Sequence, residues 1–554
     1  MKDIIGLIWG ECYYPALKDF FNEYNHIFKM IEYGFYQMGM DANNYGKVDW
    51  NPLSEIVSEG DTVLIKPNMV LDSNRGKGGI ECLYTHPSVV VPVIKYVSKA
   101  LNGTGRIIIG DAPLQDCNFD KLVNESGYID VVEHFRAEGI DIFLEDFRNV
   151  KTDRHGEINY LKEKKSDCGR IVSINEKSAF KGFDKECTAK FRVTNYAPSK
   201  MQIHHSNGKH EYMITEYLLN ADVIINLPKP KTHRKAGITA SLKNMVGINT
   251  NKEYLPHHRA GGTINGGDEY LGDSMWHNLA SKASDITEEL MCVQEYEMAE
   301  ESRQLYKKML ARAYKESRNG YSEGSWYGND TIWRTIQDLN TILFYADKQG
   351  NITDTQQRKN FIIADMIVSG DKEGPLEPEP VPLGLIVMGY NPVIFDKCIA
   401  KIMGFDWRQI PLLKNIIIDG IDNEINEKNI STNKVIRKSY RFEPSSGWIY
   451  ALGSPHNEEV LRHAKEKVEI YLFGACASGR RNADFLMKNG VKIVAFLDND
   501  KNKYENWNYK GINVIDPNKA NKDRLVIVST MERYVSEIEE QLQSLGFDDI
   551  MTMR

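Results

Sequence analysis

Runs of branched apolar residues alternate along this chain with stretches whose apolar positions recur every three or four residues, the pattern of strands interleaved with helices. The runs predict strands at 4–9, 62–66, 106–110, 140–145, 222–227, 362–368 and 383–388, and the periodic stretches predict helices near 87–101 and 120–137. Pro87 stands at the first position of the former helix, where a missing N–H costs nothing. Residues 275–318 read as one long charged helix with an apolar stripe. Ile332, Ile336, Leu339, Ile342 and Leu343 mark another helix. Between 150 and 215 the pattern is polar and irregular, with short strand candidates in "GRIVSI" and "AKFRVTNY". From about 467 a compact strand–helix–strand alternation begins with "VEIYLFGACASG". The fold class expected is α/β. A larger α/β domain spans 1–455, with 150–215 and 268–330 as insertions, and a small parallel α/β domain of Rossmann-like pattern spans 467–554.

The chain has 554 residues, enough for more than one core, and 42% hydrophobic and 26% charged residues place it among soluble globular chains. A net charge of −8 argues against nucleic acid as partner, because phosphate backbones demand a cationic face. The eight cysteines (12, 82, 117, 168, 187, 292, 398 and 476) form no C-x-x-C pair, so no iron–sulfur cluster or zinc ribbon is expected. No signal peptide and no apolar run of about 20 residues is legible. The expected setting is a reducing cytoplasm without a membrane span.

Candidate chemistry concentrates in "INLPKPKTHRKAGITASLKNMVG", residues 225–247. In an open α/β sheet, ligands gather at the carboxyl ends of strands. Lys66 and Asn68 follow one predicted strand, Asp111 another, and Lys229, Lys231 and His233 a third. An extended course puts Lys229, Lys231 and His233 on one face, whereas a polyproline course encouraged by Pro228 and Pro230 breaks that alignment. "GITASLKNMVG" then predicts a helix start with free N–H groups, followed one turn on by Lys243 and Asn244. Any single lysine is ordinarily a solvated surface charge; the convergence of several is what predicts a phosphate or carboxylate site. The loop "LPHHRAGGTINGGDEY" adds His257, His258 and Arg259, and a histidine is the natural acid–base group near neutral pH. Adjacent histidines on an extended chain face opposite ways, so at most one meets the ligand. Asp111, Asp365 and Asp371 have the chemistry to hold Mg²⁺ or sugar hydroxyls, but their spacing carries no metal signature.

The segments "DTVLIKPNMV", "YTHPSVV", "RIIIGDAP", "ADVIINLPKPKTH", "GITASLKNMVGI", "IADMIVSGDKEGPLEP" and "LGLIVMGYNPVIFDKCIAKIMGF" together resemble the domain-of-unknown-function family numbered 362, over about residues 55–415. The resemblance implies an α/β fold and a site around the Lys-Pro-Asn and Lys-x-Lys-x-His segments. It puts Lys66, Asn68, His86, Asp111, Lys229, Lys231, His233, Lys243 and Asn244 forward as site residues. Many members carry a ferredoxin-like cysteine cluster that this chain lacks. In the C-terminal part, Gly474, Cys476 and Gly479 resemble the glycine turn of a dinucleotide fold with its middle glycine replaced, and Asp498 stands where ribose hydroxyls bind. That part is similar to small domains appended to sugar-modifying and polysaccharide-assembly enzymes, which makes a nucleotide or nucleotide-sugar its candidate ligand. The reading as a whole is a cytoplasmic enzyme acting on a small anionic, phosphorylated or sugar-linked metabolite of cell-surface polysaccharide assembly. A non-catalytic binding or assembly protein is the alternative. Homo-oligomerisation is left open.

Overall fold

In the computed structural model, which describes residues 4–165, 169–316, 320–425, 430–432, 440–530 and 534–554, the chain is α/β throughout. The central sheet runs, from edge to edge, Ile430–Thr432, Ile5–Trp9, Glu377–Gly389, Lys359–Glu373, Val223–Leu227, Thr62–Pro67, Arg106–Asp111 and Ile142–Asp146. The last four pair in parallel, and Lys359–Glu373 joins Val223–Leu227 in parallel as well. Glu377–Gly389 folds back antiparallel on Lys359–Glu373. Parallel strands buried on both faces require near-continuous apolar runs, which is how "VIINL" and "TVLI" read.

Side chains alternate across this sheet. Leu64, Ile108, Ile224 and Val387 enter one core with the Ile332–Tyr345 and Pro392–Met403 helices. Val63, Ile65, Ile107, Ile109, Val223 and Ile225 enter the other, beneath the His26–Gln37, Pro87–Leu101 and Tyr128–Ala137 helices. The register places Lys66 opposite Asn226, with Asp111 closing the neighbouring strand, so three polar residues finish adjacent apolar strands at the same end. Past a bulge between Met366 and Val368, the long antiparallel pair extends beyond the sheet. There Gly370 receives Lys231 of a small hairpin, Lys231–His233 against Gly237–Thr239.

Two expected helices are each divided. The 120–137 segment is Phe119–Ser126 and Tyr128–Ala137, separated by Gly127 at φ 90°, a left-handed residue that ends the first helix and admits the second. The 275–318 segment is two helices, Met275–Cys292 and Tyr296–Glu316, which fold on each other through Ala280, Ala283 and Tyr306. Gln294, left-handed at φ 66°, makes the reversal. The 150–215 region holds a hairpin, Val150–His155 with Ile158–Lys164, and a three-stranded sheet built on Arg170–Ser173 and Lys209–Ile214.

Residues 470–552 form a separate six-stranded sheet whose order is Asn508–Tyr509, Ile512–Ile515, Ile493–Leu497, Ile470–Phe473, Val526–Val528 and Ile550–Thr552. All its pairings are parallel except the Asn508–Tyr509 edge. Among the described residues no helix is long and apolar enough to cross a membrane.

The connection into Lys359–Glu373 is held by one buried guanidinium. Arg358 donates to the carbonyls of Leu218, Leu219, Leu343 and Ala346 at 2.6–3.1 Å. Its replacement by methionine takes the guanidinium donor from all four carbonyls, of which Leu218 keeps the Ala221 N–H at 3.1 Å. Arg358→Met is expected to lower unfolding free energy by about 3 kcal/mol, read from urea denaturation midpoints at unchanged slope.

Candidate functional site

The strand-end lysines lie under the surface. Lys66 is fully buried, donating to Asp111 Oδ1 at 2.7 Å and to the Pro67 carbonyl at 2.8 Å. Asp111 also accepts the Met69 and Ala112 N–H groups at 2.6 and 2.8 Å, so both its oxygens are engaged. Lys229 pairs with Asp365 at 3.0 Å and bonds the Tyr14 hydroxyl, which itself donates to Asp365. His86 stacks on Tyr14 with ring centroids 4.0 Å apart, and its Nδ1 accepts the Ser88 N–H as the N-cap of the Pro87–Leu101 helix. Burial outweighs these partners and pulls both Lys66 and Lys229 below the ordinary lysine range.

Lys231 is buried with no carboxylate within ion-pair distance among the described residues. It donates to Asn68 Oδ1 at 2.6 Å and to the Leu83 carbonyl at 2.7 Å. A lysine has no acceptor atom, so Asn68 must turn its oxygen toward Lys231 and its amide toward Asn244. The direction then propagates. Asn68 donates to Asn244 at 3.0 Å, Asn244 to Asn226 at 2.8 Å and to the Lys66 carbonyl at 3.0 Å, and Asn226 to the Ser241 carbonyl at 3.0 Å. Burial, then the neighbouring Lys229 charge, brings Lys231 down to about 7.

Above this floor lies a cavity of about 190 Å³. Of the predicted residues, Asn68, Asp111, His233, Lys243, Asn244 and His257 line it; Lys66, Lys229, Lys231, His86, His258 and Arg259 do not. His258 is buried in a two-stranded pairing with Arg192, and Arg259 bonds Thr331 and lies 3.6 Å from Asp268. Arg75, Arg234, Lys235 and Lys252 complete the lining and were not singled out by sequence. Arg234 and Lys235 continue the basic run directly after His233, so that signal was present. Lys252 and Arg75 sit in ordinary polar loops with nothing local to mark them.

The helix start at Ser241 is not open to a ligand. The segment is one short turn, Ser241–Asn244, and the Ser241 and Leu242 N–H groups donate to the buried carboxylate of Asp396 at 2.8 and 3.0 Å. The anion at this helix start is the protein's own. One turn on, Lys243 is half-buried at the cavity with no hydrogen bond or ion pair among the described residues. Burial, then the nearby Lys252, lowers it to about 7. Burial also leads in bringing Lys235 and Lys252 to about 8 each. Thr239, another wall residue, has a buried hydroxyl without a partner.

The two histidines of the lining hold opposite tautomers. His233 Nδ1 accepts the Lys235 and Ala236 N–H groups, each at 3.1 Å, which places the ring proton on Nε2. His257 Nδ1 lies 2.7 Å from the Leu255 carbonyl and must be the protonated nitrogen, leaving the Nε2 lone pair free. Burial, reinforced by the surrounding lysines, holds both rings well below the ordinary histidine range, so both are neutral at physiological pH. His233 thus offers a donor to the cavity and His257 an acceptor.

The three acidic residues considered for Mg²⁺ are committed separately: Asp111 to Lys66, Asp365 to Lys229 and Tyr14, and Asp371 to the Glu443 N–H at 3.0 Å. In the C-terminal sheet, Gly474 has φ 112°, and a Cβ on Gly479 would lie 1.8 Å from the Gly474 carbonyl, so both glycines serve close strand–helix packing. Asp498 accepts the Ala475 N–H and the Lys503 ammonium, each at 2.8 Å.

The family described as "Domain of unknown function (DUF362)" matches residues 63–174 and 171–401. A thylakoid-associated protein of Synechocystis sp., sll1697, is 25% identical over 195 residues, covering 35% of this chain and 41% of the relative. The chain therefore spans about two fifths of that relative's length.

The floor and the cavity meet at Gly247, where a Cβ would come 1.7 Å from Asp111 Oδ1 and 2.9 Å from Lys66 Nζ. Gly247→Ala is expected to cost about 3 kcal/mol of stability or more, because the added methyl must break the buried ion pair. Thermal denaturation reads this loss, and Gly247→Ser should be at least as damaging.

Proposed function

We propose that this chain, which belongs to the DUF362 family, binds a small anionic metabolite in the 190 Å³ cavity and acts on it as an enzyme by proton transfer. The observation that carries this reading is Lys243, an ammonium without a hydrogen-bond or ion-pair partner among the described residues, beside one histidine donor and one histidine acceptor. Fixed cations lining a cavity attract a phosphate or carboxylate and set its orientation. His257 Nε2 is then the base and the His233 Nε2–H the hydrogen-bond donor to the oxygen on which charge develops.

The electrostatics make the base ligand-dependent. Burial, then the Lys235 and Lys243 charges, depresses His257. A bound anion offsets those charges, raises the histidine toward its ordinary range and so strengthens it as a base. The same anion raises the lysines, and binding takes up protons. The small-metabolite reading follows from the cavity volume, which is below that of ordinary drug-sized sites.

Sulfate, whose charge is constant near neutrality, is the direct probe. Lys243 titrates at about 7 and Lys235 and Lys252 at about 8, so their charged forms dominate below these values. Affinity is expected to be highest near pH 6.5 and to fall by about tenfold or more by pH 8.5. Calorimetry at pH 8 in buffers of different ionisation enthalpy should show proton uptake. Lys243→Gln should remove most of the binding and its pH dependence; sulfate affinity unaffected by pH and by this substitution would refute the site.

A further inference from the structure

A second cavity, of about 290 Å³, adjoins the first and shares Arg234 with it. Its walls come from widely separated segments: Arg234, the 321–325 loop, Glu373, the Ser446–Gly447 turn, and Arg481 of the Ala477–Lys488 helix in the C-terminal sheet region. The partition between the two cavities is a small polar contact. Lys235 donates to the Glu323 carbonyl and to Thr194 Oγ1, and Thr194 in turn donates to Glu323 Oε2 at 3.3 Å.

The acids of the second cavity are already matched. Burial pushes Glu323 up, but Lys235, Arg234 and Arg303 outweigh it and hold its carboxyl below the usual range. Glu373 accepts Arg554 at 3.1 Å and the Ser446 N–H at 2.7 Å. The arginines are not matched in the same way. Arg234 makes no hydrogen bond through its guanidinium and no ion pair among the described residues. Arg481 bonds Ser478 Oγ of its own helix at 3.3 Å, lies 5.9 Å over the Tyr321 ring, and meets no carboxylate within ion-pair distance among the described residues. Three cations with no carboxylate within ion-pair distance among the described residues thus follow one another, Lys243 in the first cavity, Arg234, whose charge is felt by Glu323 without a direct bond, between the two, and Arg481 in the second.

We infer that the two cavities are subsites of one ligand site, that Arg481 of the C-terminal region completes it, and that its ligand carries two anionic groups, one for each cavity. This rests on the reading of the first cavity as an anion site, and it adds the chemical class of the ligand and a role for the C-terminal region. A molecule with phosphates or carboxylates at both ends places one group on Lys243 and the other between Arg234 and Arg481. Arginine suits the second position, since its planar fork holds a phosphate or carboxylate in two-point contact.

The test uses the full chain at pH 6.5 with methylphosphonate and with α,ω-alkane bisphosphonates of increasing length. Methylphosphonate is expected to bind in a Lys243-dependent way. One bisphosphonate length should bind about tenfold tighter or more, because the second group binds at high effective concentration. Arg481→Gln should abolish that gain and leave methylphosphonate affinity unchanged, and Arg481→Lys should restore part of it. No gain at any length, or a gain that survives Arg481→Gln, overturns the two-subsite inference while the first cavity stands. Absence of methylphosphonate binding overturns both. Should the Arg481 variants fold poorly, phenylglyoxal labelling of the unaltered protein decides: the best bisphosphonate, but not methylphosphonate, should protect Arg481, and equal labelling under both overturns the inference.

Discussion

An ammonium group taken out of water must find acceptors for its protons or lose its charge. Lys66, Lys229 and Lys231 are all fully buried at one end of the central sheet, and the architecture of that end is the set of acceptors they require. Asp111 closes its strand where Lys66 can reach it, Asp365 sits opposite Lys229, and Asn68 turns its oxygen to Lys231. The last contact fixes the orientation of three asparagines in succession, because each amide passes its donor on to the next. The polar floor is therefore a directed network, and Asn68 and Asn244, which also line the cavity, inherit their orientation from a lysine that does not line it.

This division of labour separates lysines that look equivalent in the sequence. Lys229, Lys231 and Lys243 all follow an apolar strand in a basic segment, yet the first two are consumed by internal partners and the third faces open space. Periodicity made the sheet strands, the Pro87–Leu101 helix and the C-terminal alternation legible, since those depend on which residues enter a core. The division of the 275–316 helix at Gln294 was not legible, because both halves keep the same stripe and only the reversal lets Ala280 and Ala283 meet Tyr306. The site was legible to the level of the segment. Which side chain of a segment faces the cavity depends on carboxylates more than a hundred positions away. Asp396 fills the helix start that appeared free, and Asp365 claims Lys229 from 136 residues downstream.

The histidines show the same dependence at the level of a single proton. His233 and His257 are both neutral and both line the cavity, but backbone partners make one a donor and the other an acceptor. For His233, two N–H groups of the following turn occupy Nδ1, so the local hairpin decides the tautomer. For His257, the Leu255 carbonyl meets the same nitrogen, Nδ1, as an acceptor and so fixes the other tautomer. A pair of this kind can hold a ligand atom between a lone pair and an N–H without changing the net charge of the cavity.

That neutrality matters because the cavity already carries more positive charge than it can compensate. Asp111 is spent on Lys66 and Asp116 on Arg75, while Lys235, Lys243, Lys252 and Arg234 face the same space. Burial first, then a nearby cation (Arg234 for Lys235, Lys252 for Lys243, Arg148 for Lys252), brings the three lysines down to 7–8, where each proton is held only loosely. Protonating either histidine there would add to the repulsion, and so both rings stay neutral. Under the proposed function, a bound anion would oppose the charge–charge part of these effects, favouring charged lysines and raising His257. On that same proposal, the cations that burial holds away from their charged optimum would themselves set what the cavity accepts, and selectivity for negative charge would need no contact beyond those already fixed by the floor.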